Sequence, residues 1–134
     1  MFHYSIITML LLTSIGPHGS VDEQTIGFQG HRADKLKIKF KREGDGFMAD
    51  CWCDDGFTYS FYFRNMPPPQ KHLRLKLSAL HSRVLGLFDT LPHQHYKCWV
   101  DNLYTSVNFL IHSLKHKAHV MVEGVCRSGG RGFP

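Results

Sequence analysis

At 134 residues, with 43% hydrophobic and 13% aromatic content, the chain can build a real core, which excludes wholesale disorder and bounds it to one domain or part of one. A formal charge of +5, with ten histidines counted as neutral, suits an anionic partner such as nucleic acid without selecting one. The four cysteines, Cys51, Cys53, Cys98 and Cys126, contain no C-x-x-C pair of the kind a structural zinc site uses; they read as reduced core residues, or as disulfides should the chain be secreted.

In chain order, Ser5 to Ile15 is an apolar run of signal-peptide length, too short to cross a bilayer as a helix. No Lys or Arg precedes it and no A-x-A cleavage site follows. It therefore reads as a weak signal, as a buried strand feeding towards Asp22, or as a remnant of a broken frame. Residues 1–20 are set apart as this apolar segment, and residues 21–134 as the domain proper. A membrane partner is not expected. Gly16-Pro-His-Gly-Ser20 reads as a turn. After Val21 to Phe28, residues 31–42 alternate strictly. Lys35, Lys37, Lys39 and Lys41 fall on one face and Leu36, Ile38 and Phe40 on the other. That is the solvated side of a half-buried strand, or a ribbon that tracks phosphates.

Phe47 to Cys53 and Phe57 to Phe63 read as a hairpin closed at Asp54-Asp55-Gly56, with Phe57, Tyr59, Phe61 and Phe63 on one face. Met66-Pro-Pro-Pro69 excludes regular structure. Ser78 to Thr90 is an amphipathic helix with Leu80, Val84, Leu87 and Phe88 inward and His81 and Arg83 between them. Tyr96 to Val100 is a buried strand that delivers Asp101. Ser106 then caps a second helix with an apolar stripe of Val107, Leu110, Ile111 and Leu114. A short strand, His119 to Val125, precedes a basic Gly-rich tail. Trp52 and Trp99 are assigned to the core.

Asp22 and Asp101 each follow a β-prone residue and precede a change of structural character. Strand-end carboxylates that converge are suited to holding Mg²⁺ or Mn²⁺ against a phosphodiester, since hard cations prefer oxygen ligands. Asp45, Asp50, Asp54 and Asp55 are explained by loop, strand face and turn. His93-Gln-His95 is a weak metal motif. No Ser/His/Asp nucleophile set and no phosphate-binding Gly-rich loop is present, so no small-molecule cofactor is expected.

Four blocks together carry a resemblance: DEQTIGFQG at 22–30 before a basic strand, GDGFMADCWCDDGFTYSFYF at 44–63, CWVDNLYTS at 98–106 before a helix, and VEGVCRSGGRGFP at 122–134. In this order and spacing the chain resembles the piggyBac-type transposases and their domesticated relatives. The resemblance implies an α/β fold, a ribonuclease H-like mixed sheet with flanking helices, truncated at the C-terminus. It also implies metal-dependent DNA cleavage and strand transfer by three aspartates. Asp22 and Asp101 match the first two, as catalytic residues and metal ligands. The third lies downstream of the segment with which this sequence closes, so the 134 residues alone are expected to be inactive or nearly so. Lys35, Lys37, Lys39, Lys41, Arg127 and Arg131 are the expected nucleic-acid contacts. DNA, and a full-length transposase, are the expected partners, and the nucleus is the expected location. A DNA- or protein-binding remnant, or a small secreted disulfide protein, are the alternatives.

Overall fold

The computed structural model describes residues 14–27, 46–73, 75–92 and 94–126. Among these residues, five strands and three helices follow in chain order: β1 (His18–Gly27), β2 (Gly46–Asp54), β3 (Phe57–Phe63), α1 (Gln70–Leu73), α2 (Ala79–Phe88), β4 (Tyr96–Val100), α3 (Val107–His116) and β5 (Val120–Gly124). The sheet order is β3-β2-β1-β4-β5. β1, β2 and β3 are antiparallel neighbours, whereas β4 pairs parallel with both β1 and β5. This is the mixed sheet with flanking helices expected for an α/β chain.

Local chemistry accounts for each boundary. The β2–β3 turn holds Asp55 at φ 46° and Gly56 at φ 79°, the two left-handed residues a tight hairpin needs and that Asp-Gly supplies at low cost. Ser78 caps α2 by accepting the His81 N–H at 3.2 Å, and Ser106 caps α3 by accepting that of Phe109 at 3.1 Å. Each satisfies a donor that the first helical turn would otherwise leave open. The core gathers around Trp52, which meets Phe88 and Tyr96 edge-on, each at 5.9 Å between ring centroids. Val21, Leu85, Cys98, Tyr104 and Phe109 complete it.

Six details depart from the sequence expectation. The segment read as a turn, Gly16 to Ser20, enters β1 at His18, because its backbone pairs in parallel with Lys97 to Trp99 of β4. Gly19 makes this possible: a Cβ there would stand 2.3 Å from the Trp52 ring. The aromatic face of β3 is broken by a register shift opposite Trp52/Cys53, where Thr58 pairs with Cys53 and Ser60 with Trp52. The bulge leaves Tyr59 without a partner and turns it into the core, while Phe61 and Phe63 stack edge-on at 5.1 Å outside it. Arg83 is buried, because residues 82–88 of α2 are covered on every side. Trp99 is 43% exposed, since its strand position alternates with the buried Cys98 and Val100. On α3 the inward residues are Phe109, Ser113 and, partly buried against the core, Leu110, whereas Ile111 and Leu114 face outward. Phe109 sets that rotation by packing on Phe88 and stacking on His81. A short helix, α1, also forms directly after the prolines.

Candidate functional site

The parallel register between the two central strands places the candidate carboxylates. Val21 of β1 pairs with Val100 of β4, both are buried, and each is followed by an aspartate. Asp22, inside β1, and Asp101, just past the end of β4, therefore stand at the same level of neighbouring parallel strands, and both are exposed. The strand-end expectation holds for Asp101 alone, because β1 runs on to Gly27 against β2. A third acid, Glu23, sits beside Asp22. Alternation along β1 sends it to the opposite face, where it pairs with Arg64 at 3.2 Å.

Both aspartates are held by their own backbone. Asp22 Oδ1 accepts the Glu23 N–H at 2.8 Å. Asp101 Oδ1 accepts the Leu103 N–H at 2.7 Å, and the Thr105 hydroxyl donates to the Asp101 carbonyl at 2.8 Å. The Asn102–Ser106 segment is thus a wound turn with a purpose at each step. Asp101 closes it, Thr105 ties it back, and Ser106 starts α3. His81 Nε2–H donates to the Tyr104 carbonyl at 2.9 Å, and burial holds the His81 pKa below its ordinary value, so the ring acts there as a neutral donor.

Beneath this turn lies a buried polar cluster that sequence reasoning missed. Asp50 is fully buried on β2. Its Oδ1 accepts from Arg64 Nε at 2.9 Å, from Arg64 Nη2 at 2.7 Å and from the Tyr104 hydroxyl at 3.0 Å. Its Oδ2 accepts from Arg83 Nε at 2.9 Å. Two arginines face two carboxylates, Asp50 and Glu23, so the formal charges cancel. Burial works against the Arg64 charge. The hydrogen bond and charge of Asp50 outweigh it, and the guanidinium pKa rises above its usual value. Burial and the Asp50 charge likewise push the Tyr104 phenol upward, which keeps it a neutral donor. The available signal was an Asp in an otherwise apolar strand (Ala49-Asp50-Cys51) and an Arg inside a helix that is apolar on both faces.

Lys35, Lys37, Lys39, Lys41, Arg127, Arg131 and His93 lie outside the described residues. Among the described residues, no three His, Cys, Asp or Glu side chains gather to hold a metal ion, and no helix is long and apolar enough to cross a membrane. All four cysteines are free. Cys51 is pushed up to about 12, by burial first and then by Cys53, Asp50 and Asp22, and burial also raises Cys98. Neither is a nucleophile at neutral pH.

The fold is that of a transposase domain: 99% of the chain superposes on a piggyBac transposase solved by cryo-EM in a synaptic complex with hairpin DNA, with a TM-score of 0.77 at 20% identity. The sequence profile described as Transposase IS4 matches residues 8–134, and the chain belongs to that transposase family. It spans 28% of the length of the piggyBac chain. No curated protein matches it.

Proposed function

We propose that this chain is part of the catalytic core of a piggyBac-type DNA transposase, its sheet ribonuclease H-like. In this reading Asp22 and Asp101 hold Mg²⁺ or Mn²⁺ against a DNA phosphodiester. The observation that carries it is the Val21/Val100 register, which brings two exposed carboxylates to one level of two parallel strands. The donor set suits such a cation: Mg²⁺ is usually held by one or two carboxylates together with substrate phosphates, so a two-carboxylate set still awaiting its substrate is chemically sensible. When bound, the ion would supply Lewis-acid stabilisation of the phosphoryl oxygens and of the attacking oxygen.

The chain's own residues would do the rest. Each aspartate keeps one oxygen engaged with a backbone N–H, which fixes the carboxylate plane and leaves Oδ2 to face a cation. The basic residues Lys35, Lys37, Lys39, Lys41, Arg127 and Arg131 would track the DNA backbone, and the nucleus would be the place of action. A full-length transposase is the natural protein partner for a chain of this extent. The 134 residues alone would cleave at close to background, because a two-metal site needs more carboxylates than two.

Mn²⁺ titration followed by electron paramagnetic resonance tests the reading. The parent chain should bind Mn²⁺ in competition with Mg²⁺, and Asp22→Asn and Asp101→Asn should each abolish that binding. Duplex-DNA binding that survives both substitutions, with no Mn²⁺ bound in the parent chain, would favour a DNA-binding remnant instead.

A further inference from the structure

The two candidate ligand segments meet at one side chain on the far side of the sheet. Arg64 Nη2 lies 3.2 Å from Glu23 Oε2, 2.7 Å from Asp50 Oδ1 and 3.3 Å from the Tyr104 hydroxyl. Glu23 is the residue after Asp22 on β1, and Tyr104 is the anchor of the turn that begins at Asp101. A single nitrogen therefore ties the backbone carrying one carboxylate to the backbone carrying the other. Asp50 holds that nitrogen in place, and Arg83 Nε holds Asp50 from α2.

The alternatives to this arrangement are few. Within the Asp101 turn the Tyr104 side chain is fully buried, while Leu103 beside it is 47% exposed; His81 of α2 also holds the Tyr104 carbonyl, at 2.9 Å. β4 is a short strand of Tyr96–Val100, and the turn after it lies beyond the ladder to β1, whose last pair is Val21 and Val100. The β1–β4 ladder thus stops one residue before the carboxylates. From there their relative placement depends on side chains, and the Arg64–Asp50–Tyr104 contacts span the gap.

We infer that Arg64, Asp50 and Tyr104 form a positioning unit that sets the separation of the Asp22 and Asp101 carboxylates from the opposite face of the sheet. The inference rests on the proposed metal-binding role of those two aspartates for its consequence, but not for its geometry. Residues that orient metal ligands from behind typically change metal affinity by about 10- to 100-fold when lost.

The test uses the full chain with Tyr104→Phe, which removes one hydroxyl and leaves Asp50 paired to both arginines, and Arg64→Lys, which keeps the charge but cannot fork. Mn²⁺ affinity by electron paramagnetic resonance should fall about 10-fold in each. Amide exchange should speed up about 10-fold for Leu103 and Tyr104, whose N–H groups bond Asp101 Oδ1 and the Asp101 carbonyl, while Val21 and Cys98 in the central strands stay protected. Unchanged exchange in that turn, or faster exchange of every amide alike, would overturn the positioning role. Unchanged Mn²⁺ affinity in Tyr104→Phe, with Asp22→Asn still abolishing binding, would overturn it while leaving the metal reading intact. If Asp22→Asn and Asp101→Asn leave Mn²⁺ binding untouched, the metal reading fails, and the exchange measurement alone decides the geometry.

Discussion

Replacing Asp50 with Asn should be among the most damaging single-atom changes available in this domain. The carboxylate is fully buried and accepts four hydrogen bonds from Arg64, Arg83 and Tyr104. The amide would keep an acceptor towards Arg64 and Tyr104. In place of Oδ2, however, it would set an N–H₂ against Arg83 Nε, and it would strip the negative charge from between two guanidinium groups. Glu23 can still answer Arg64, but no other carboxylate among the described residues pairs with Arg83, whose side chain is 9% exposed. Breaking a buried pair in this way costs about 3–5 kcal/mol, because a desolvated charge is left behind. Against a domain stability of about 5–15 kcal/mol that is roughly a fifth of the total or more. For a chain of this size it corresponds to a fall in Tm of roughly 10–20 °C. Urea denaturation with an unchanged m-value would measure it, with Asp55→Asn as the control. Asp55 is exposed at φ 46°, a conformation Asn accepts, so that variant should stay within about 0.5 kcal/mol of the parent. An Asp50→Asn variant within about 1 kcal/mol of the parent would refute the buried, charge-balanced cluster.

Three further outcomes follow from the same geometry. Gly19→Ala should cost about 1–3 kcal/mol, since its Cβ would meet the Trp52 ring at 2.3 Å and Trp52 is wedged between Phe88 and Tyr96; a neutral result in thermal melts would contradict that packing. Ser106→Ala should cost about 1 kcal/mol and Ser106→Asp much less, read by the same melts, because the cap accepts the Phe109 N–H. His72 is 5% exposed, and burial, with Lys117, Lys71 and His116 nearby, lowers its pKa from 6.5 to about 4 against the opposing pull of Asp89 Oδ2, 2.7 Å from Nε2 and shared with Lys71 and Lys117. The unfolded chain then binds the extra proton between these values, so stability is full above pH 6.5 and is lost as pH falls towards 4, by up to roughly 3 kcal/mol. His72→Gln should flatten that part of the pH–stability curve, and an unchanged slope would count against the burial.

Much of the fold was legible because it is written in local chemistry. The Asp-Gly turn, the serine caps and the period-two runs each act over a few residues, and the hairpin, α2, α3 and β4 fell where those signals stand. Asp101 was legible as a strand-end residue, whereas Asp22 lies inside β1, and only the register shows that the two stand at one level. What was hidden depends on distant partners. Asp50 reads as a solvent-facing strand residue until Arg64, Arg83 and Tyr104 arrive from 14, 33 and 54 residues away. Arg83 reads as the polar side of an amphipathic helix until both sides of that helix are covered. The bulge at Tyr59 breaks an alternation that is perfect in sequence, and Trp99 shows that a large aromatic residue follows its strand parity before its hydrophobicity. His18 and Lys97 shelter its ring, at 5.5 Å and 5.2 Å, without burying it.

The central claim is that Asp22 and Asp101 share a divalent cation. Crystals soaked in Mn²⁺ and measured at the manganese absorption edge test it most directly. The account predicts an anomalous peak between the two carboxylates, within bonding distance of an oxygen from each, that disappears in Asp22→Asn. A peak seated elsewhere, or none at millimolar Mn²⁺ with both carboxylates ordered, would contradict it.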